Sequence, residues 1–375
     1  MSSHYDVVIV GAGIVGAACA LECVDRGLKT ACVERNVIGG GATAAGMGHI
    51  VIMDDSPAQF ALTRYSQDLW AELSNALPSD VEYDRCGTLW IARDDEELHE
   101  VHRKHASYRA AGVVTEILDP AALAEAEPNL VEPLAGALLV PSDAVLYPPC
   151  AARYLMREAL DRGMTLYAPR TVTRAGAGRV TLEDGTELHT EHIVNAGGAD
   201  SSGLGGDFPI RKRKGHLVIT ERYPGFVRHQ MVELGYMKSA HSTHSESVAF
   251  NVQPRRTGQL LIGSSRQFDV EDSSVDHALL QAMIDQAVSF LPRLASLSAI
   301  RVWTGFRAAT PDKLPLIGPS AHDPTLFLAT GHEGLGITTS LATARLLADQ
   351  LMGNEPAIPI EPYLPERFVS SYQYA

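Results

Sequence analysis

The chain has 375 residues, of which 45% are hydrophobic and 20% are charged. This composition is typical of a globular protein with room for two domains or one domain with a large insertion. The formal net charge of −14 argues against nucleic acid or an anionic membrane as a partner. No apolar run reaches the roughly 18 residues of a membrane helix, and a strand-like run already begins at Tyr5. We therefore expect a cytoplasmic protein without a membrane span or signal peptide.

The five cysteines are an odd number, and they form no CxxC pair. Three of them, Cys19, Cys23 and Cys32, fall within the first helical and apolar segments. We expect buried, reduced thiols without a metal or redox role.

Three glycines near the start of the chain interrupt an apolar run and open a helical segment. Gly11 permits a tight turn, Gly13 allows a pyrophosphate to approach the backbone, and Gly16 allows the helix to pack closely on the strand. Phosphates then meet free N–H groups at the positive end of the helix dipole. An acid, Glu34, follows Gly16 by 18 residues, where a carboxylate binds ribose hydroxyls. The segment 5–34 therefore predicts a dinucleotide-binding βαβ unit.

Helical and strand patterns alternate along the whole chain, and the nucleotide-binding parts recur at its start, middle and end. We predict an α/β fold in which a Rossmann-like nucleotide-binding domain carries a discontinuous α+β substrate domain with an antiparallel sheet. The nucleotide-binding domain is assigned residues 1–85, 141–207 and 312–375. The substrate domain is assigned residues 86–140 and 208–311.

A NAD site needs one glycine turn, but a second glycine-rich loop, 39–48, follows Glu34 here, which predicts a longer cofactor that is buried along its length. Together with NAGGAD at 195–200 and TGHEGLGIT at 330–338, it resembles the glycine oxidase and D-amino-acid oxidase superfamily of FAD enzymes. Small amine oxidases of the sarcosine type attach the flavin through a cysteine where this chain has Gly305, so the resemblance implies non-covalent FAD.

The resemblance also implies which residues line the FAD site. Val172 would contact the adenine region through its backbone, although a core valine is the alternative. The implied cofactor-binding residues are Gly11, Gly13, Ile14, Val15, Gly16, Glu34, Arg35, Ala42, Thr43, Ala45, Gly46, Met47, Gly48, Val172, Gly197, Gly331, His332, Glu333, Gly334, Leu335, Gly336, Ile337 and Thr338.

Within the superfamily, the run 238–268 looks like the flavoprotein β subunits of heteromeric hydroxyproline, proline and opine dehydrogenases and of hydrogen cyanide synthase. That likeness implies a secondary amine as substrate, such as D-hydroxyproline, proline or an opine. It further implies α and γ partner subunits that carry iron–sulfur or second flavin groups.

The stretch 303–307, WTGFR, matches the family segment whose arginine binds the substrate carboxylate. A guanidinium holds both carboxylate oxygens in a planar fork, so Arg307 is the predicted substrate anchor, with a surface ion pair as the alternative. The segment 331–336 opens the last helix, whose N-terminus would stabilise negative charge on the reduced flavin. A plain glycine-rich helix start is the alternative there.

Three further residues are weaker catalytic candidates. His49 and His332 lie beside the predicted flavin loops, and Asn251 stands where glycine oxidase has a substrate tyrosine, with Phe250 as the alternative alignment. His241, His244 and Glu246 have spacing that a metal site would allow, but their serine and threonine neighbours favour a solvated loop, and we predict no metal.

Two other functions stay open from the sequence. One is a glycine or sarcosine type of oxidase that uses oxygen, and the other is a non-catalytic subunit that relays electrons through FAD. An aromatic hydroxylase that consumes NADPH is disfavoured by the Arg307 motif.

Overall fold

The computed structural model describes residues 4–206, 208–235, 246–268 and 270–368. The chain divides into two compact units. Unit 1 contains Met1–Val81, Tyr147–Lys212 and Phe306–Ala375, and unit 2 contains Glu82–Leu146 and Arg213–Gly305. The assignment of one domain to the cofactor and the other to the substrate stays a prediction.

The described residues form helices and strands that alternate along the chain. The helices are α1 (Ile14–Asp25), α2 (Gly41–Ala45), α3 (Pro57–Leu73), α4 (Asp95–Ala110), α5 (Pro120–Ala126), α6 (Pro148–Asp161), α7 (His277–Phe290) and α8 (Gly336–Met352). The strands are β1 (His4–Val10), β2 (Thr30–Val33), β3 (His49–Ile50), β4 (Thr88–Ala92), β5 (Glu116–Leu118), β6 (Gly136–Val140), β7 (Ala144–Val145), β8 (Thr165–Tyr167), β9 (Val172–Gly176), β10 (Arg179–Leu182), β11 (Glu187–Asn195), β12 (Arg211–Thr220), β13 (Gln230–Glu233), β14 (Glu246–Pro254), β15 (Leu260–Phe268), β16 (Ala299–Ala309), β17 (Leu316–Pro319) and β18 (Leu326–Thr330).

Unit 1 is built on a sheet with the strand order β17-β18-β11-β1-β2-β8, to which β10 and β9 add a branch from β11. The pairs from β18 through β8 are parallel, whereas β17 is antiparallel to β18. Helix α1 packs against α6 and α8. Helices cover both faces of a parallel sheet in a doubly wound fold, so its strands are buried on both sides. In agreement, all four residues of β2 have small or apolar side chains and are buried.

Unit 2 contains most of an eight-stranded sheet with the order β16-β12-β15-β14-β13-β4-β6-β5. One face of this sheet joins a core that includes Leu89, Met231, Phe250 and Val252. Helix α7 packs on β14 and β15, and its Phe290 ring stacks on Phe250 with 4.2 Å between the ring centroids. An apolar face buried against helices is what the alternating strands predict.

The predicted α/β fold class is confirmed, with local differences. The substrate sheet was predicted to be antiparallel, yet β13 pairs with β4 in parallel. Helix α3 ends at Leu73, and the chain continues as a short 3-10 turn, Ser74–Ala76. Within the described residues, no helix has the length and apolar character that crossing a bilayer requires.

Candidate active site

The first glycine loop is shaped by close backbone packing in unit 1. Gly11 has φ +104°, and a Cβ there would lie 2.7 Å from the Ala196 carbonyl oxygen. A Cβ on Gly16 would lie 1.9 Å from the carbonyl oxygen of Gly11, so α1 approaches β1 only because that side chain is a hydrogen atom. Gly13 caps α1 without a side-chain hydrogen bond, which leaves N–H groups of the first turn available to an anion.

Two polar side chains hold this loop in place. The Thr43 hydroxyl oxygen accepts a hydrogen bond from the Ile14 amide at 3.0 Å. The Glu34 carboxylate accepts from the amide of Ala12 at 2.8 Å and from that of Asn36 at 2.8 Å. Glu34 thus stands at the end of β2 beside the glycine loop, where the predicted ribose contact requires it.

Arg35 lies beside this acid and is exposed. Its guanidinium pairs with Asp200 at 2.6 Å, and Lys212 pairs with the other oxygen of the same carboxylate at 2.8 Å. Burial by itself would raise the pKa of Asp200, but Lys212 and Arg35 together outweigh it and lower this pKa below its usual value. Arg35 therefore joins the end of β2 to the NAGGAD segment at the surface of unit 1.

The second glycine loop contains the short helix α2 and leads into β3. Its Gly46 leaves room for the side chain of Ile337, because a Cβ at position 46 would lie only 2.7 Å from the Ile337 Cδ1 atom. Thr338 donates to the His49 carbonyl oxygen at 2.8 Å. The predicted loop residues from Ala42 to Gly48 are consequently placed against the start of α8.

The loop before α8 is also closely packed. A Cβ on Gly331, which has φ +79°, would lie 2.6 Å from the Thr310 Cγ2 atom. Glu333 has φ +49°, and its amide donates to the Ala308 carbonyl oxygen at 2.8 Å. Gly336 approaches α1, since a Cβ on it would lie 3.9 Å from the Val15 Cγ2 atom.

Helix α8 begins after Leu335, which gives it no side-chain cap. Trp70 of α3 fixes this helix start, because its indole N–H lies 3.3 Å from the Ile337 carbonyl oxygen and 3.2 Å from that of Thr338. The starts of α1 and α8 therefore both lack a side-chain cap. The positive ends of both helix dipoles are suited to bind negative groups.

Arg307 lies near the loop that precedes α8, within unit 1. Its Nε atom is 3.9 Å from the position that a Cβ on Gly334 would occupy. The residue is half-buried on β16. The Arg307 side chain therefore lies within van der Waals distance of the position that a side chain at residue 334 would occupy.

His332 is buried, with 7% of its surface exposed. Burial lowers the pKa of its imidazole to about 3, so the ring is neutral at physiological pH. Its Nε2 atom lies 3.0 Å from the Thr343 hydroxyl oxygen on α8. This contact ties the loop to the helix that it precedes.

The remaining predicted residues are distributed over both units. Gly197 lies beside Gly11, and its amide donates to the Asn195 side chain at 3.1 Å. Val172 begins β9 and is half-buried. Asn251 lies on β14 in unit 2, 7% exposed. His241 and His244 of the histidine trio lie outside the described residues, and no group of metal-ligating side chains occurs within the described ranges.

The residues present fit an extended FAD molecule. Gly11 and Gly16 let backbone atoms pack closely at the first turn, and Gly46 and Gly331 let the second loop and the loop before α8 pack closely on Ile337 and Thr310. An acid at the end of β2 and two uncapped helix starts provide groups that recognise ribose and phosphate chemistry. Sequence analysis did not find Trp70 or Thr343, since neither stands in a recognisable motif.

The comparisons with known proteins agree with this geometry. The chain matches the DAO family model, which describes FAD dependent oxidoreductases, over residues 6–350. The match covers most of the chain, and the protein therefore belongs to this family of FAD-dependent oxidoreductases. The predicted superfamily and the predicted FAD cofactor are confirmed.

Among curated proteins, the chain is similar to the hydrogen cyanide synthase subunit HcnC of Pseudomonas aeruginosa, with 28% identity over 98% of this chain and 97% of the relative. It is also similar to a glycine oxidase of Geobacillus kaustophilus, with 27% identity over 97% of each protein.

Solved structures give the same result for the fold. The glycine oxidase of Geobacillus kaustophilus has a TM-score of 0.87 and 25% identity, covering 98% of this chain and 99% of that one. The L-proline dehydrogenase of P. horikoshii has a TM-score of 0.87 and 23% identity over 99% of each chain. At that identity the second likeness bears on the fold alone.

Proposed function

We propose that this enzyme oxidises an amino or imino acid at its Cα–N bond, preferably a secondary amine such as D-hydroxyproline, proline or an opine. Non-covalent FAD would accept the hydride from Cα at its N5 atom. The chain would bind the acid, orient its Cα–H bond and stabilise the charge that develops. An imine that water hydrolyses is the expected product.

The observation that carries this proposal is the position of Arg307 beside the loop that opens α8. Its Nε atom lies 3.9 Å from the Cβ position of Gly334, and that loop precedes an uncapped helix start. A guanidinium that binds the substrate carboxylate would fix the Cα–H bond relative to this loop. The N-terminus of α8 would stabilise negative charge on the reduced ring.

The chain's own residues supply no obligatory proton acceptor in this scheme. An amine that binds in its neutral form can lose hydride without a base. His332 is neutral and lies 3.0 Å from Thr343, so we assign it a positioning role. His49, at the start of β3, remains a candidate for a hydrogen bond to the substrate or flavin. Asn251 is a candidate for contact with the amine.

The relatives support an amino acid substrate without selecting one. Glycine oxidases and an HcnC subunit match the chain at similar identity. Since HcnC is by name a subunit, we further propose α and γ partner subunits with iron–sulfur or second flavin groups that receive the electrons. An oxygen-using glycine or sarcosine oxidase is the alternative for the same site.

Anaerobic mixing of the yellow holoprotein with amino acids, sarcosine, proline and hydroxyproline isomers, and opines tests the proposal. We expect loss of flavin absorbance with proline, hydroxyproline or an opine, and little loss with glycine or sarcosine. Bleaching by glycine or sarcosine, followed by rapid reoxidation in air, would favour the oxidase. If no compound bleaches the flavin while an external electron donor does, the electron-relay alternative replaces the proposal.

A further inference from the structure

The segment 361–368, after the last helix, is fixed to the rest of unit 1. Tyr363 is 1% exposed, and its hydroxyl donates a hydrogen bond to the Ala58 carbonyl oxygen in α3 at 2.7 Å. Leu364 packs on β17, since its Cδ2 atom lies 2.8 Å from the position that a Cβ on Gly318 would occupy. The side chains that follow Leu364 therefore start from a fixed point.

Arg367 extends from this segment to the turn between β16 and β17. Its Nε atom donates to one carboxylate oxygen of Asp312 at 2.7 Å, and its Nη2 atom donates to the other at 3.1 Å. Nη2 also donates to the Leu314 carbonyl oxygen at 2.8 Å, and Nη1 donates to that of Leu364 at 3.0 Å. Since a guanidinium has five N–H donors in a planar fork, these contacts use nearly all of them.

The pair of Arg367 and Asp312 is better shielded than an ordinary surface ion pair. The Arg367 side chain is 15% exposed, and that of Asp312 is 36% exposed. The guanidinium carbon also lies 4.5 Å from the centroid of the Phe368 ring. A bidentate ion pair with a further bond to a carbonyl group restricts the turn far more than a single exposed pair does.

The turn that Arg367 contacts has its own internal bonds. The Leu314 amide donates to the Asp312 carboxylate at 3.1 Å, and the Thr310 hydroxyl donates to the Leu314 carbonyl oxygen at 2.7 Å. Lys313 has φ +65°, which is an unfavourable conformation for a residue with a side chain. Contacts from outside the turn, such as those of Arg367, therefore help to maintain its conformation.

This turn is connected to the predicted substrate anchor. Arg307 precedes Thr310 by three residues, at the end of β16. Thr310 also packs on the loop before α8, because its Cγ2 atom lies 2.6 Å from the position of a Cβ on Gly331. All of these residues belong to unit 1. A displacement of the turn would consequently move Arg307 relative to the loop before α8.

We infer that Arg367 is a positioning residue for binding of the substrate carboxylate. By fixing the turn 310–314, it sets where the Arg307 guanidinium stands relative to the loop before α8. The inference rests on the proposed function, because it takes Arg307 to bind the carboxylate. A shift of about 1 Å is enough to weaken a bidentate contact, so the effect of Arg367 should be measurable.

Anaerobic flavin reduction in a double-mutant cycle tests the inference. Wild type, Arg367→Met, Arg307→Ala and the double variant are each mixed with an amino acid that bleaches wild type and, separately, with the corresponding amine that lacks the carboxylate. We expect Arg367→Met to weaken the apparent affinity for the acid about 10-fold, with little effect on the amine. The double variant should bind the acid as weakly as Arg307→Ala does, because Arg367 acts through Arg307.

Two further variants complete the cycle. Arg367→Lys keeps the charge but loses the planar fork, so its affinity for the acid should fall between those of wild type and Arg367→Met. Arg162→Met is the matched control, since Arg162 contacts both oxygens of Asp25, at 2.5 Å and 2.7 Å, at the end of α1 remote from the glycine loop. The control should bind the acid as wild type does.

Three results would overturn the inference. They are wild-type affinity for the acid in Arg367→Met, an equal loss of affinity for the acid and the amine, and a further loss in the double variant relative to Arg307→Ala. Where Arg367→Met does not retain its flavin, Asp312→Asn takes its place in the cycle, because it removes the charge and keeps the shape of the side chain.

Acetate separates this inference from the proposed function without turnover. It has a carboxylate but no amine to oxidise, and a bound ligand raises the Tm of the holoprotein by mass action. We expect acetate to raise the Tm of wild type and Arg162→Met more than sodium chloride of equal ionic strength does, and to raise that of Arg307→Ala and Arg367→Met less.

The pattern of these Tm values shows which of the two claims fails. A smaller rise in Arg307→Ala but not in Arg367→Met would overturn the inference and leave the proposed function standing. No rise in wild type, or equal rises in wild type and Arg307→Ala, would count against the proposed function, and the inference would fall with it.

Discussion

Thr43 shows how one hydroxyl links the two glycine loops. Its oxygen accepts from the Ile14 amide at 3.0 Å, and a Cβ on Gly13 would lie 3.2 Å from the same atom. The side chain therefore connects α2 to the first turn of α1 and holds both loops in register. The sequence motif marks Thr43 as a cofactor residue, but the bond to Ile14 is a feature of the folded chain.

Replacement of Thr43 by valine should weaken FAD binding about 10-fold. The change keeps the shape but leaves the buried Ile14 amide without its acceptor, which costs roughly 1–3 kcal/mol. Fluorescence titration of the apoprotein with FAD measures the effect. Thr173→Val, at an exposed position on β9, is the control. Equal FAD affinity in Thr43→Val and the control would contradict this role.

His332 should make stability depend on pH. Burial lowers its pKa from 6.5 to about 3 in the folded protein, so between these values the unfolded chain binds a proton that the folded chain does not. The free energy of unfolding is therefore unaffected by this group above pH 6.5. It decreases as the pH falls towards 3, by no more than roughly 1.4 kcal/mol per pH unit.

Urea denaturation of the holoprotein at pH 7 and pH 5 measures this dependence. His332→Asn removes the titrating ring, so its unfolding free energy should fall less between the two pH values than that of wild type. The same decrease in both proteins would show that other groups cause the pH dependence.

At the scale of elements, Gly16 allows α1 to pack on the turn that follows β1. An alanine Cβ at this position would lie 1.9 Å from the Gly11 carbonyl oxygen, so Gly16→Ala must displace the helix from the glycine turn. We expect loss of bound FAD and a decrease of several kcal/mol in the free energy of unfolding.

Gly27→Ala provides the control for that change. Gly27 has φ +81° and nothing within 4 Å of its Cβ position, so alanine there costs only about 1–2 kcal/mol of backbone strain. Calorimetric Tm values and flavin content distinguish the two variants. A Gly16→Ala protein that keeps its flavin as well as Gly27→Ala does would refute the close-packing argument.

The β1–α1–β2 unit was predictable because its information is local. The glycines, the apolar runs and Glu34 stand within one short stretch, and the structure places them as predicted. The 11-residue strand β16 was not predicted, although Arg307 within it was. Its sequence alternates weakly, and six of its 11 residues are only partly buried. Sequence pattern identifies a motif more readily than the element that carries it.

Contacts between segments that are distant along the chain could not be predicted from the sequence. Trp70 donates to carbonyl groups at the start of α8, 267 residues further along the chain. The parallel pairing of β4 with β13 likewise joins strands from separate segments of unit 2. Such contacts depend on how the whole chain packs, whereas hydrophobic periodicity reports only which face of each element is buried.

At the scale of the whole molecule, the proposed partner subunits imply slow reaction with oxygen. A flavoprotein that transfers electrons to a carrier should be reoxidised faster by an artificial acceptor such as phenazine methosulfate than by dissolved oxygen. Turnover of the chosen amino acid, followed with each acceptor in turn, measures the ratio. Equal or faster turnover with oxygen would favour the oxidase alternative and argue against heteromeric partners.

The central claim is that Arg307 binds the carboxylate of an amino or imino acid that reduces the flavin. Anaerobic stopped-flow measurement of flavin reduction tests it directly in wild type, Arg307→Lys and Arg307→Ala. Each protein is mixed with the amino acid that bleaches wild type and, separately, with the corresponding amine that lacks the carboxylate. Losing the guanidinium fork should weaken the acid's apparent affinity about 100-fold in Arg307→Ala, less in Arg307→Lys, and should not affect the amine. Unchanged reduction of Arg307→Ala by the acid would contradict the account.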